Sequence, residues 1–118
     1  MTGSFEETVD FRMREVPTGP EAVQLVLSGE LDLAVAEMLR DRLRMLRNQG
    51  YAVRLDLSEL EFIDSSGMRE LIIAFAESQS DGWQLDIDPQ ITAPVRRTLD
   101  IAGLTSHLWP DGGLDRRR

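Results

Sequence analysis

The chain of 118 residues contains no cysteine and a single histidine, His107. Without cysteine it can form neither disulfide bonds nor thiolate metal sites. A serine nucleophile needs a base beside it, but the single histidine lies far along the chain from the serines considered below. The chain also lacks the G-x-S-x-G motif, so a serine hydrolase is disfavoured. The glycine patterns G-x-x-x-x-G-K-[ST] and G-x-G-x-x-G, which hold nucleotide phosphates, are also missing. The sequence therefore disfavours a serine hydrolase, a kinase and an NTPase.

Long hydrophobic runs and an excess of basic residues are missing as well. Residues 1–10 are acidic and contain no apolar stretch of the kind found in signal peptides, and no later run approaches the length of a membrane span. The formal charge of −8 argues against nucleic acid or an anionic membrane as a partner, because both require a basic patch. We expect a cytoplasmic protein whose partners present a basic or mixed surface.

The apolar residues that are present, 42% of the chain, follow alternating strand and helix periods. Two strands are predicted to form a hairpin around the turn at residues 17–20, and later helical crossovers require parallel neighbours in one sheet. The predicted strands cover residues 9–16, 22–31, 52–57 and 83–87, with a short fifth near Leu108 and Trp109, and the helices follow Asp32, Gly67 and Ala93. The fold class is α/β, with a mixed four- to five-stranded sheet and about three helices packed on it.

The periods also predict core residues and a tail. We expect burial of residues on the apolar phase of their elements: Leu55, Leu57, Leu71, Ile72, Phe75, Leu85 and Val95. Residues 112–118 combine two glycines with a run of three arginines, which predicts a disordered basic tail after one domain at residues 1–111.

The stretch Asp64-Ser65-Ser66-Gly67 lies between a strand and a helix. Aspartate and serine favour helix N-caps, which alone would explain one of these residues. A cap needs only one residue, so it does not explain two adjacent hydroxyls and a glycine. These additional residues indicate a site that another protein recognises. A metal site built from Asp64 with Asp56, or from Asp86 with Asp88, lacks histidine partners and an EF-hand pattern, so solvated strand ends are the better interpretation and no metal is predicted.

Three segments resemble a known family. Residues 27–43, LSGELDLAVAEMLRDRL, are similar to the start of a STAS domain, and residues 55–71, LDLSELEFIDSSGMREL, are similar to the phosphorylation motif of bacterial anti-sigma factor antagonists. Residues 94–104 resemble the short helix that follows the fourth strand in that family. The resemblance implies a single STAS-like domain over residues 1–111.

The resemblance also implies a function. An antagonist of this family binds an anti-sigma factor serine kinase, which carries the ATP, and thereby frees a sigma factor. The resemblance implies that the antagonist is not an enzyme and has no catalytic residues and no cofactor of its own. The kinase switches the antagonist off by phosphorylating the first serine of the motif, here Ser65, and a serine phosphatase restores it. The residues at the partner-facing positions are Asp32, Asp64, Ser65, Ser66, Gly67, Met68 and Arg69.

Two physical expectations and one alternative accompany this hypothesis. Ser65 should be exposed to meet the kinase, and Ser66 should be the structural hydroxyl that caps the helix. A phosphate on Ser65 should be tolerated by the fold at a helix N-terminus but should disturb a docked partner. The alternative is a STAS scaffold or small-ligand-binding module in which Ser65 is only part of a cap and is never phosphorylated.

Overall fold

The computed structural model describes residues 5–7 and 10–111. The predicted tail at residues 112–118 therefore lies outside the described residues. The elements, in chain order, are β1 (Phe5–Glu7), β2 (Phe11–Gly19), β3 (Ala22–Leu31), α1 (Leu33–Asn48), β4 (Ala52–Ile63), α2 (Ser65–Asp81), β5 (Leu85–Ile87), α3 (Ala93–Ile101) and α4 (Thr105–Leu108).

The five strands form one mixed sheet in the order β1-β2-β3-β4-β5. The pairs β1/β2 and β2/β3 are antiparallel, which confirms the predicted hairpin. The pairs β3/β4 and β4/β5 are parallel, as the two helical crossovers require. The predicted α/β class and mixed sheet are confirmed.

The predicted fifth strand near Leu108 is wrong. Thr105–Leu108 form the one-turn helix α4, and both Leu108 and Trp109 are buried. The Trp109 indole N–H donates to the Ile87 carbonyl of β5 at 2.7 Å. The Trp109 side chain thus covers β5, the last strand of the sheet. Leu108 and Trp109 are apolar because they are buried here, and not because they belong to a strand.

The ends of several other elements also differ from prediction. The first predicted strand, residues 9–16, corresponds to β2 at Phe11–Gly19, and β1 precedes it. Strand β4 continues past residue 57 to Ile63, beyond register shifts in its pairing with β3. Beyond residue 57 the buried residues Leu60 and Ile63 are three positions apart, so the alternating period of the first half is lost and the sequence pattern did not reveal the rest of the strand.

One face of the sheet forms the core with α1 and α2. Alternate residues in the first halves of β3 and β4 are buried: Val23, Leu25 and Leu27, and Val53, Leu55 and Leu57. Helix α1 contributes a stripe of buried residues: Val35, Ala36, Leu39, Leu43 and Leu46. Of the predicted core, Leu55, Leu57, Leu71 and Val95 are buried, whereas Ile72, Phe75 and Leu85 are half-buried. Phe75 is therefore packed against the core, with its ring edge-on to His107, rather than enclosed.

The other face of the sheet is polar. Gln24 donates to Asp56 at 2.9 Å, and Arg54 pairs with Asp86 and with Asp88, to which it lies 2.9 Å away. Three of the four acids considered above as metal ligands, Asp56, Asp86 and Asp88, thus bind an amide or a cation of the protein. Within residues 10–111 no cluster of three or more metal-binding side chains occurs, and none of the helices in this part is long and apolar enough to cross a membrane.

Candidate functional site

The site is formed where two neighbouring parallel strands end. Leu31, the last residue of β3, is in register with Ile63, the last residue of β4. Asp32 and Asp64 follow these residues directly, so they reach the same edge of the sheet, and each is the N-cap of the helix after it. We call this edge, residues 31–34 and 62–69, the site edge. Two helix N-termini lie there side by side.

Asp64 caps both helices. One carboxylate oxygen accepts from the Gly67 N–H of α2 at 3.0 Å, and the other accepts from the Leu33 N–H at the start of α1 at 3.1 Å. Its own backbone N–H donates to the Leu31 carbonyl at 3.2 Å. A single side chain therefore satisfies free N–H groups of two helices and fixes their positions relative to each other.

Asp32 is a more local cap, as the sequence predicted. Its carboxylate accepts from the Ala34 N–H at 3.1 Å, and its carbonyl accepts from the Val35 N–H at the same distance. Asp32 is half-buried. The two carboxylates place negative charge at the positive ends of both helix dipoles, which is the favourable arrangement.

The glycines of both motifs are required by close packing. A Cβ on Gly67 would lie 2.7 Å from Leu31 Cγ, 2.8 Å from the Leu31 carbonyl oxygen and 2.9 Å from Ile63 Cγ1. Gly29 has a positive φ, and a Cβ there would lie 2.1 Å from the Asp10 carbonyl oxygen. Gly67 thus lets α2 start directly against the ends of β3 and β4.

The two serines occupy the first turn of α2. Ser65 is exposed, as expected, and Ser66 is half-buried. The expectation that Ser66 caps the helix is wrong, because the Asp64 carboxylate takes the first-turn N–H. Ser66 instead lines a groove of about 550 Å³ between α1 and α2, together with Leu33, Arg69 and Ile73.

The site edge also carries exposed apolar and cationic side chains. Leu33 is 75% exposed and Phe62 is 46% exposed. Met68 is half-buried, and Arg69 is exposed. Leu33 and Phe62 were not among the predicted site residues, although Leu33 directly follows Asp32 and Phe62 lies two positions before Asp64.

An ion pair between a buried acid and a partly exposed arginine joins the two helices behind the serines. Glu70 on α2 is 5% exposed and accepts from the Arg40 guanidinium of α1 at 3.1 Å. This hydrogen bond and the charge of Glu70 raise the pKa of Arg40 above its usual value. The pair fixes α1 against α2 one turn after the shared cap.

A known domain family matches this chain. The family model described as "Mlab, STAS domain" matches residues 15–110, most of the chain. The chain belongs to the STAS domain family. A curated STAS relative, the anti-sigma-B factor antagonist of Bacillus subtilis (strain 168), is 28% identical over 90 residues, which cover 76% of this chain and 82% of the relative.

Solved structures share the STAS fold. An anti-sigma factor antagonist from Mycobacterium paratuberculosis superposes with a TM-score of 0.68 at 19% identity, covering 92% of this chain and 95% of that one. The antagonist SpoIIAA in its unphosphorylated form gives 0.65 at 23% identity, covering 78% and 81%. The phosphorylated form of the Bacillus SpoIIAA gives 0.61 at 22% identity, covering 78% and 84%.

Proposed function

We propose that this STAS domain is an anti-sigma factor antagonist that is switched off by phosphorylation at Ser65. In its unphosphorylated form it binds an anti-sigma factor serine kinase and so releases the sigma factor. The observation that supports the proposal best is the exposed Ser65 hydroxyl at the start of α2, held beside a double helix cap. The names of the curated relative and of the similar structures agree with it.

The geometry suits phosphoryl transfer by a partner enzyme. The Ser65 oxygen would attack the γ-phosphorus of ATP held by the kinase, ADP would leave, and the hydroxyl proton would pass to a base of the kinase. The described residues give no hydrogen bond that occupies the Ser65 hydroxyl, so nothing needs to break before it meets the γ-phosphate in line. A serine phosphatase would reverse the step by hydrolysis.

The docking surface would be the site edge together with its exposed apolar residues. Leu33, Phe62 and Met68 offer apolar contact area around Ser65, and Asp32 supplies negative charge. A phosphate brings about −1.5 to −2 charge into this surface. Because a charge buried without a partner at an interface costs several kcal/mol, the partner would dissociate while the domain stays folded.

The test is binding and phosphorylation of matched variants. Candidate anti-sigma kinases from the source organism are incubated with ATP and the wild-type chain, Ser65→Ala or Ser66→Ala, and phosphate is located by intact mass and peptide mapping. Calorimetry with nucleotide then measures binding. We expect phosphate on Ser65 of the wild type and of Ser66→Ala, none on Ser65→Ala, and about 100-fold weaker binding after phosphorylation.

Ser66→Ala is the matched control, since it removes the neighbouring hydroxyl alone. Phosphate on Ser66 in the wild type would contradict the proposal. Equal affinity of the phosphorylated and unmodified chains for the kinase would contradict the switch and favour a STAS scaffold that phosphorylation does not control.

A further inference from the structure

Arg69 lies one helical turn after Ser65 on the same side of α2. Residues four apart on a helix are neighbours, with Cβ atoms about 5–6 Å apart. Both Ser65 and Arg69 are exposed, so either side chain is free to turn toward the other. A guanidinium matches the oxygens of a phosphate in a two-pronged hydrogen-bonded pair.

Arg69 has no acidic neighbour on its own helix. The residues three and four positions away are Ser65, Ser66, Ile72 and Ile73. Glu70, the acid next to it in sequence, is buried against Arg40 instead. Glu37 of α1 lines the same groove, but no ion pair joins it to Arg69 within residues 10–111.

Arg69 is the one cationic residue of α2, in an acidic chain with 21 aspartates and glutamates. Arg44, Arg96 and Arg97 also have no ion pair within residues 10–111, but none of them lies on the helix that Ser65 begins. Other arginines of the described residues pair with acids from different elements: Arg14 with Glu59, Arg40 with Glu70, Arg42 with Glu15, Arg47 with Glu77, and Arg54 with Asp88. The arginine next to the Ser65 hydroxyl is therefore left with its guanidinium available to an incoming anion.

The charges around Ser65 show what such a cation would do. A phosphate on Ser65 would lie near the carboxylates of Asp32 and Asp64, which already occupy the N–H groups of Ala34, Leu33 and Gly67. Repulsion from two carboxylates would oppose the dianion, and these N–H groups are not available to offset it. Arg69 is the positive charge within reach on the same helix.

We propose that Arg69 pairs with the phosphate of phosphorylated Ser65 and holds it against the first turn of α2. The proposal rests on the proposed function, since it concerns the modified form of the same site. In the modified form Arg69 offsets the charge of the phosphate, so that the fold accepts the modification next to Asp32 and Asp64.

The test is a thermodynamic cycle on the full chain in which phosphoserine is incorporated at position 65 during translation, without any kinase. Four proteins combine Ser65 or phosphoserine with Arg69 or Arg69→Gln. ³¹P NMR titration measures the second ionisation of the phosphate. We expect its midpoint to be about 0.5 pH unit lower with Arg69 than with Arg69→Gln, the size expected of one exposed ion pair. Arg69→Gln should also lower the thermal midpoint of the phosphorylated chain more than that of the unmodified chain.

The control is Arg97→Gln, which removes an exposed arginine of α3. Arg69→Lys should retain part of the shift, and high salt should shrink it. The proposal is overturned if Arg69→Gln and Arg97→Gln give the same phosphate midpoint. Because the phosphoserine is installed without a kinase, a kinase that fails to modify Ser65 would contradict the proposed function while leaving this result intact.

Discussion

The two ends of the parallel strands are built differently. At the site edge, the side chains nearest the sheet are helix caps, while Leu33, Phe62, Ser65 and Arg69 are exposed. At the opposite edge, where α1 and α2 end and β4 begins, cations and acids are paired with each other. Arg47 lies 3.2 Å from Glu77 and also pairs with Asp81, and Arg54 pairs with Asp86 and Asp88.

The difference concerns which groups are paired within the domain. Ion pairs at the opposite edge join α1 to α2, and β4 to β5 and Asp88, so these charges are paired within the domain. At the site edge the carboxylates accept from backbone N–H groups, whereas a hydroxyl, a guanidinium and two large apolar side chains are exposed. Exposed polar and apolar groups on a rigid scaffold are typical of binding sites.

The largest expected effect comes from filling the space at Gly67. Gly67→Ala would place a methyl group within 3.0 Å of Leu31 and Ile63, so α2 must shift away from the strand ends. We expect a loss of about 1 to 3 kcal/mol in the free energy of unfolding, measured by urea denaturation. Gly19→Ala is the control, because its Cβ would meet the Ala22 Cβ at an ordinary 3.5 Å. Equal losses for the two variants would contradict the packing described for the site edge.

The next largest loss of stability is expected from variants of the two capping aspartates. Asp64→Ala removes hydrogen bonds to two helices, whereas Asp32→Ala removes one side-chain bond within a single helix. We expect losses of about 2 kcal/mol and about 1 kcal/mol respectively in chemical denaturation. A larger loss for Asp32→Ala would show that Asp64 does not join the helices.

How much of the site edge can be predicted from the sequence depends on how far apart in the chain the interacting residues lie. The caps at Asp32 and Asp64, the exposure of Ser65 and the alternation of β3 follow from local rules, and the structure agrees with them. The bond from Leu33 N–H to Asp64 spans 31 positions and exists because β3 and β4 end in register. No local pattern reveals it.

The same limit explains the misplaced elements. The apolar pair Leu108 and Trp109 fits a strand locally, but burial of Trp109 against Ile87 favours a helical turn. The net charge of −8 predicts the average surface, yet it does not show that Arg69, which has no acidic partner within residues 10–111, lies one helical turn from Ser65. Pairing across elements decides which charges remain available.

A smaller effect is expected at the opposite edge. Arg47→Gln removes the cation that pairs with Glu77 and Asp81, all three about one-third exposed. We expect a loss of less than about 1 kcal/mol in the free energy of unfolding. Affinity for the anti-sigma kinase, measured by calorimetry, should stay unchanged. A marked loss of affinity would show that this edge also contacts the partner and would remove the distinction between the two edges.

The smallest effect on stability should come from Ser66→Ala. Ser66 lines the groove between α1 and α2, but the first-turn N–H of Gly67 is bonded to Asp64, so the Ser66 hydroxyl is not needed as a cap. We expect a change within about 0.5 kcal/mol in the free energy of unfolding. Ser65→Ala should be equally mild in denaturation, so the two variants are matched in stability. They should differ in phosphorylation by the kinase, which Ser65→Ala abolishes and Ser66→Ala preserves. A loss above about 1 kcal/mol for Ser66→Ala is the size expected for a helix cap. Such a loss would show that the Ser66 hydroxyl caps α2, a role that this fold gives to Asp64.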